Sequence, residues 1–193
     1  MKPPAGELDK QAAIERTRRW IASMVIGLNL CPFARRVFEA DKIQYIVTDA
    51  EDETALLEEL ARELKTLASA PISSAETALL IHPNALGSFL DYNEFLGAGE
   101  RLIDGLGLRG IIQLASFHPR YQFANTVPDA AENYTNRSPY PMLHLLREES
   151  ISAITGNPKE LRDIPRRNIK TLKDLGREKI LEKLKAIEDG RER

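Results

Sequence analysis

Cysteine is nearly absent. The single Cys31 among 193 residues rules out an internal disulfide and suits a reducing cytoplasm. No apolar run approaches the ~20 residues needed to cross a bilayer. Residues 1–10 lack the apolar segment of a signal peptide, so neither membrane insertion nor export is expected. No G-x-x-x-x-G-K-[ST] loop occurs, which disfavours nucleotide binding of that kind. Histidine is scarce, at three, and there is no H-x-H, no H-E-x-x-H and no cysteine pair to mark a known metal motif. Strong charge is missing too. The net value is −2, and residues 157–193 carry 12 Lys/Arg against 8 Asp/Glu, a surplus too small to argue for nucleic acid.

What is present is an alternation of helical and strand patterns. Asp9 is placed to cap a helix with Ile14, Ile21, Met24, Val25 and Leu28 on one face, ending near Gly27. Cys31-Pro32 opens a short second helix, which puts the thiol where a helix dipole favours thiolate. Residues 43–48, 77–82 and 111–118 read as strands, the second continuously apolar as expected for one covered on both faces. Between them run helices carrying Leu57, Leu60, Ala61, Leu64 and Leu67, then Phe89, Tyr92, Phe95, Leu96, Leu102, Ile103 and Leu106. Strands that alternate with helices predict an α/β fold: a small three-layer domain whose short, mostly parallel sheet of three or four strands is flanked by helices. A helical C-terminal extension follows, interrupted at Pro165 and closed by Ile180, Leu181, Leu184 and Ile187. One domain over 10–188 is expected, with residues 1–8 and 189–193 as flexible ends.

Chemistry concentrates in residues 133–148. Read as a loop entering a helix, Ser138 is the N-cap and Pro139 and Pro141 lie in the first turn. Tyr140, His144, Arg147 and Glu148 then share one helix face, with Leu143, Leu146, Ala153 and Ile154 on another. His82 and His118 each end a strand and precede a proline, at the edge where open parallel sheets bind ligands. Convergence of His82, His118 and His144, with Glu148 as ligand or orienting group, would suit one divalent metal, zinc or iron. Without a metal, His118, His144 and Tyr121 are candidate acid–base groups. Arg137 and Arg147 would fork onto an anion, with Asn133, Asn136 and Ser138 adding polar contacts. Each histidine has a plain structural alternative, and Arg147–Glu148 reads equally as a salt link. Cys31, followed by Arg35-Arg36, is the nucleophile of a different, thiol-dependent mechanism, or else a buried inert cysteine.

Residues 27–34, 113–124 and 133–148 resemble the signatures of one bacterial domain-of-unknown-function family, and residues 164–169 resemble its fourth block. The resemblance runs along nearly the whole chain in the same order. It implies membership and brings no activity, fold or catalytic residue with it. The expectation is therefore a cytoplasmic enzyme acting on a small polar or anionic molecule at a His/Arg-lined sheet edge. A non-catalytic binding module is the alternative from another class.

Overall fold

In the computed structural model, which describes residues 9–152 and 158–191, Asp9 caps the first helix as its position predicts. Its carboxylate accepts from Ala12 N at 3.0 Å, and α1 (Lys10–Trp20) buries Ala13, Thr17 and Trp20 along one face. The helix then widens into a π-helical segment, Ile21–Ile26. Gly27 N and Leu30 N reach back five residues, to Ala22 O at 2.9 Å and Val25 O at 2.8 Å. Gly27 is required there, because a Cβ would lie 2.3 Å from Ser23 O. A short helix, α2 (Ala34–Glu39), leads to β1 (Ile43–Val47).

Asp52 caps α3 (Glu53–Ser69), accepting from Ala55 N at 2.8 Å. Leu56, Leu60, Leu64 and Leu67 on its inner face are fully buried, each stabilising the fold by about 2 kcal/mol before entropy is counted. Leu56 takes the place expected for Leu57, one position round the same stripe. β2 (Thr77–Ile81) is buried throughout, as its unbroken apolar run predicts. α4 (Phe89–Gly105) follows, then β3 (Ile112–Phe117). Gly105, Gly107 and Gly110 have the spacing of a dinucleotide fingerprint. They follow a helix and precede a strand, the reverse of the order that a phosphate-binding turn needs.

Residues 142–147 overturn the helical reading. They form a fourth strand, β4 (Met142–Arg147), inserted between β2 and β3 and antiparallel to both. Sheet order is β1-β2-β4-β3, so only β1–β2 is a parallel pair and the sheet is mixed rather than mostly parallel. Two ladders of backbone bonds outweigh the weak helix preference of Leu, His and Arg. Pro141 has no N–H to lose and offers its carbonyl to His82 N at 3.0 Å. Ser138 caps nothing; its hydroxyl donates to Tyr140 O at 2.6 Å.

Glu148 opens a short helix, α5 (Glu148–Ser152). α6 (Pro158–Leu175) runs through Pro165 without stopping, and Gly176, at φ 81°, turns the chain into α7 (Arg177–Glu188). Two cores result. α3 and α4 cover one sheet face, while α1, the π-helical segment, α6 and α7 cover the other. Residues 1–8 and 192–193, expected to be flexible, and the proposed stripe members Ala153 and Ile154 lie outside the described residues. Among the described residues no helix is long and apolar enough to cross a membrane.

Candidate functional site

Alternation along the strands decides which side chains meet. In β4, Leu143 and Leu145 enter the core under α3 and α4, whereas Met142 joins the opposite core. His144 shares the face of Met142. Continuing β2 and β3 by one residue sends His82 and His118 to the α4 side, where both rings flank Tyr92 at 5.8 and 5.1 Å between centroids. The expected set His82, His118, His144 and Glu148 is therefore divided by the sheet. Among the described residues no three His, Cys, Asp or Glu side chains are grouped as metal ligands.

The sheet edge at His82 and His118 is filled. Both are essentially unexposed. His82 Nδ1 donates to Ala85 O at 3.1 Å, and its Nε2 is buried without a partner. His118 Nδ1 accepts from Arg120 N at 3.0 Å, so its Nε2 carries the proton and donates to Leu86 O at 3.2 Å. The Tyr92 hydroxyl donates to Met142 O at 2.8 Å and accepts from Phe117 N at 3.0 Å. Burial pushes His82 down to about 4 and lowers His118 as well. Tyr121 packs its ring against Phe89 and Phe123, each 5.0 Å away.

The residues expected to bind substrate make many contacts within the chain, and Arg137 and Ser138 also line a second cavity of about 290 Å³. Asn133 is fully buried and organises the long connection after β3. Its Oδ1 accepts from Phe123 N and Thr126 Oγ1, and its Nδ2 donates to Val127 and Pro128 carbonyls. Asn136 Nδ2 donates to Ser116 O at 3.0 Å. Arg137 donates to Tyr121 O at 3.1 Å and Pro128 O at 2.6 Å, with its guanidinium 4.4 Å above the Tyr134 ring. Arg147 is buried and donates to three carbonyls, Leu67, Ala70 and Ala75, at the end of α3 and the loop beyond it. That is where a helix end favours a cation. Glu148 donates its backbone N–H to Ile111 O at 3.0 Å and begins α5.

The open space lies on the other face. A cavity of about 300 Å³ separates the sheet from the π-helical segment and α2. Thr77, Leu79, Ala115, Phe117, His144 and Leu146 form its floor, and Trp20, Ile21, Val25, Cys31, Phe33 and Val37 form its roof. This is the small end of the range for ligand pockets, mostly apolar with a few polar groups. His144 is half-buried there, its ring 6.0 Å from Phe117. Nε2 lies 2.7 Å from Thr77 Oγ1, and burial pushes the imidazole down to about 4, leaving it neutral at pH 7. At the rim, Arg36 forks onto the buried Glu76 carboxylate, which Lys42 also meets at 3.0 Å. The Arg36 hydrogen bonds hold Glu76 down to about 2.

Cys31 does line this cavity with His144, but not as a thiolate. α2 starts only at Ala34 and is short. Burial pushes the thiol up, against the smaller pull of the Phe33 and Ala34 amides and the Arg167 charge. The sequence reading missed Trp20, Thr77, Gln113 and Ser150 as lining residues. Strand alternation around Thr77 and Leu79 carried the signal for the floor; nothing local signals Ser150.

Three of the four blocks singled out in the sequence meet here. Cys31 and Phe33 come from the first, Ala115 and Phe117 from the second, and His144 and Leu146 from the third. The fourth holds the turn before Cys31: Asn168 Nδ2 donates to Leu30 O at 2.7 Å and Arg167 to Asn29 O at 3.0 Å. The model of one family, described as "Protein of unknown function (DUF1415)", matches residues 12–182. The chain belongs to this family. No match exists among curated proteins or among solved structures. All four strands and every residue of the cavity fall inside the matched span.

Proposed function

We propose that this domain binds a small, largely apolar molecule in the cavity between the sheet and the π-helical segment, with His144 as its polar anchor. One observation carries the reading: a half-buried neutral imidazole on the floor of a mostly apolar 300 Å³ cavity. Buried polar groups are normally satisfied, and convergent polar atoms in an apolar hollow are how ligands are oriented. A general base works best with a pKa near the operating pH. At about 4, His144 suits recognition better than proton abstraction.

The only tryptophan, Trp20, lines the cavity and reports on it directly. Ethylbenzene added to the protein should change Trp20 emission saturably. Ala115 faces His144 across the β3–β4 ladder, so Ala115→Leu places bulk beside the imidazole. That variant should keep its urea midpoint within about 1 kcal/mol of stability and lose the response. An undiminished response in Ala115→Leu sinks the proposal.

A second reading, thiol chemistry at the same place, is favoured by Cys31 and His144 sharing one cavity. It requires Cys31 to react with iodoacetamide faster than a free thiol at neutral pH. The buried, raised thiol favours the opposite result.

A further inference from the structure

We infer that the ligand of this cavity is a neutral apolar alcohol, whose hydroxyl donates to His144 Nδ1, rather than an acid or a hydrocarbon; this rests on the binding reading above. Thr77 supplies the first step. Its Oγ1 lies 2.6 Å from the Leu145 carbonyl, which only accepts, so the hydroxyl proton points there. The same oxygen is 2.7 Å from His144 Nε2, and with its proton already engaged it accepts from that nitrogen. A neutral imidazole has one N–H. His144 carries it on Nε2, so Nδ1 is a bare acceptor, and no described residue donates to it.

The second step is Ser150. It is 9% exposed, lines the same cavity, and its Oγ is buried without a partner. Its enclosed polar atoms thus offer one acceptor and one hydroxyl, the Gln113 amide that also lines it being exposed. The third step concerns charge. Two arginines border the space, and both are engaged: Arg36 with Glu76, Arg147 with three carbonyls. Neutral His144 adds no cation. A carboxylate entering here loses its hydration with no cation free among these residues to replace it. A hydrocarbon fits the walls but leaves Nδ1 and Ser150 Oγ unmet. An alcohol supplies the donor that Nδ1 needs and an oxygen to accept from Ser150.

Benzyl alcohol, ethylbenzene and benzoate share one skeleton and separate these cases. Each is titrated into the intact protein at neutral pH, with Trp20 emission excited where the probes do not absorb. Benzyl alcohol should bind about tenfold more tightly than ethylbenzene, the worth of one hydrogen bond, and benzoate no better than the hydrocarbon. In His144→Leu the alcohol preference should shrink to the smaller part that Ser150 supports, since Thr77 keeps its bond to Leu145 and the ring's volume is nearly replaced. Ser150→Ala, which leaves the sheet untouched, should narrow the preference without abolishing it. Benzoate binding most tightly, or an alcohol preference unchanged in His144→Leu, overturns the inference. If ethylbenzene and benzyl alcohol bind equally to the wild-type protein, the hydroxyl inference fails while cavity binding stands. If none of the three alters Trp20 emission, the binding reading itself fails and takes this one with it.

Discussion

Acid should destabilise this fold through its histidines, starting well above the range where carboxylates protonate. His82 and His144 are each pushed from 6.5 down to about 4 by burial, so folding favours their neutral forms. Between those values the unfolded chain binds the protons first. Stability is therefore fully present above about 6.5 and falls as pH drops through the window. Each histidine contributes a slope of about 1.4 kcal/mol per pH unit there. Two of them remove roughly 4 kcal/mol between pH 6.5 and about 5, a large part of a typical 5–15 kcal/mol total. His118, also lowered, adds in the same direction. Glu76, held down to about 2, is stabilising above its usual range and loses that effect only as pH falls from 4.5 towards 2, outside the window. The assay is urea unfolding at several pH values, read as the slope of the free energy rather than its size. His144→Leu should lower that slope by about 1.4 kcal/mol per pH unit, whatever it does to stability at pH 7. Equal slopes in the variant and the wild-type protein would refute the account of His144 as a half-buried neutral imidazole.

Two substitutions test the framework that shapes the cavity. Arg147→Met leaves the Leu67, Ala70 and Ala75 carbonyls without their donor and should cost about 3 kcal/mol in urea unfolding; Arg147→Lys should recover only part, because an ammonium cannot fork across three acceptors. Gly27→Ala drives a Cβ against Ser23 O and should cost at least about 2 kcal/mol while shifting Trp20 emission, since Trp20 immediately precedes the π-helical segment that Gly27 closes; an unchanged melting temperature and spectrum would show that the segment relaxes freely.

The elements whose patterns carry a single physical message are legible in the chain. Asp9 caps its helix, Leu60, Leu64 and Leu67 face inward, and residues 77–81 form a strand buried on both sides. His82 and His118, expected as the last residues of their strands, lie one residue beyond them, because β2 ends at Ile81 and β3 at Phe117. The site is less legible because it depends on strand order, which no local pattern encodes. Residues 142–147 contain Leu, His and Arg, which neither helix nor strand propensity decides; pairing on both sides with β2 and β3 does. Once that stretch is a strand, His144 and Arg147 take opposite faces, Glu148 passes to the start of α5, and the three histidines separate. Polar residues such as Asn133 and Arg137 read as ligand-binding groups because a sequence shows side-chain chemistry and hides which backbone carbonyls need donors.

The register of β4 ties the two misread residues to each other. On a strand, positions three apart lie on opposite faces, and a slip of one residue exchanges the faces of all of them. Arg147 is fixed to the α3 side, because only there do the end of α3 and the following loop present Leu67, Ala70 and Ala75 carbonyls to a buried guanidinium. A slip would carry that charge into the apolar cavity, away from these acceptors, and would bury His144 among the leucines of the other core. The Ile112–Arg147 and Thr77–Leu146 pairings set this alignment at one end of the strand. His144 is thus held facing the cavity partly by a residue that alternates to the opposite side of the strand and borders the cavity with its guanidinium already engaged by carbonyls. Arg147 acts as a register pin, and its removal should disturb Trp20 emission and probe binding at the His144 side as well as overall stability.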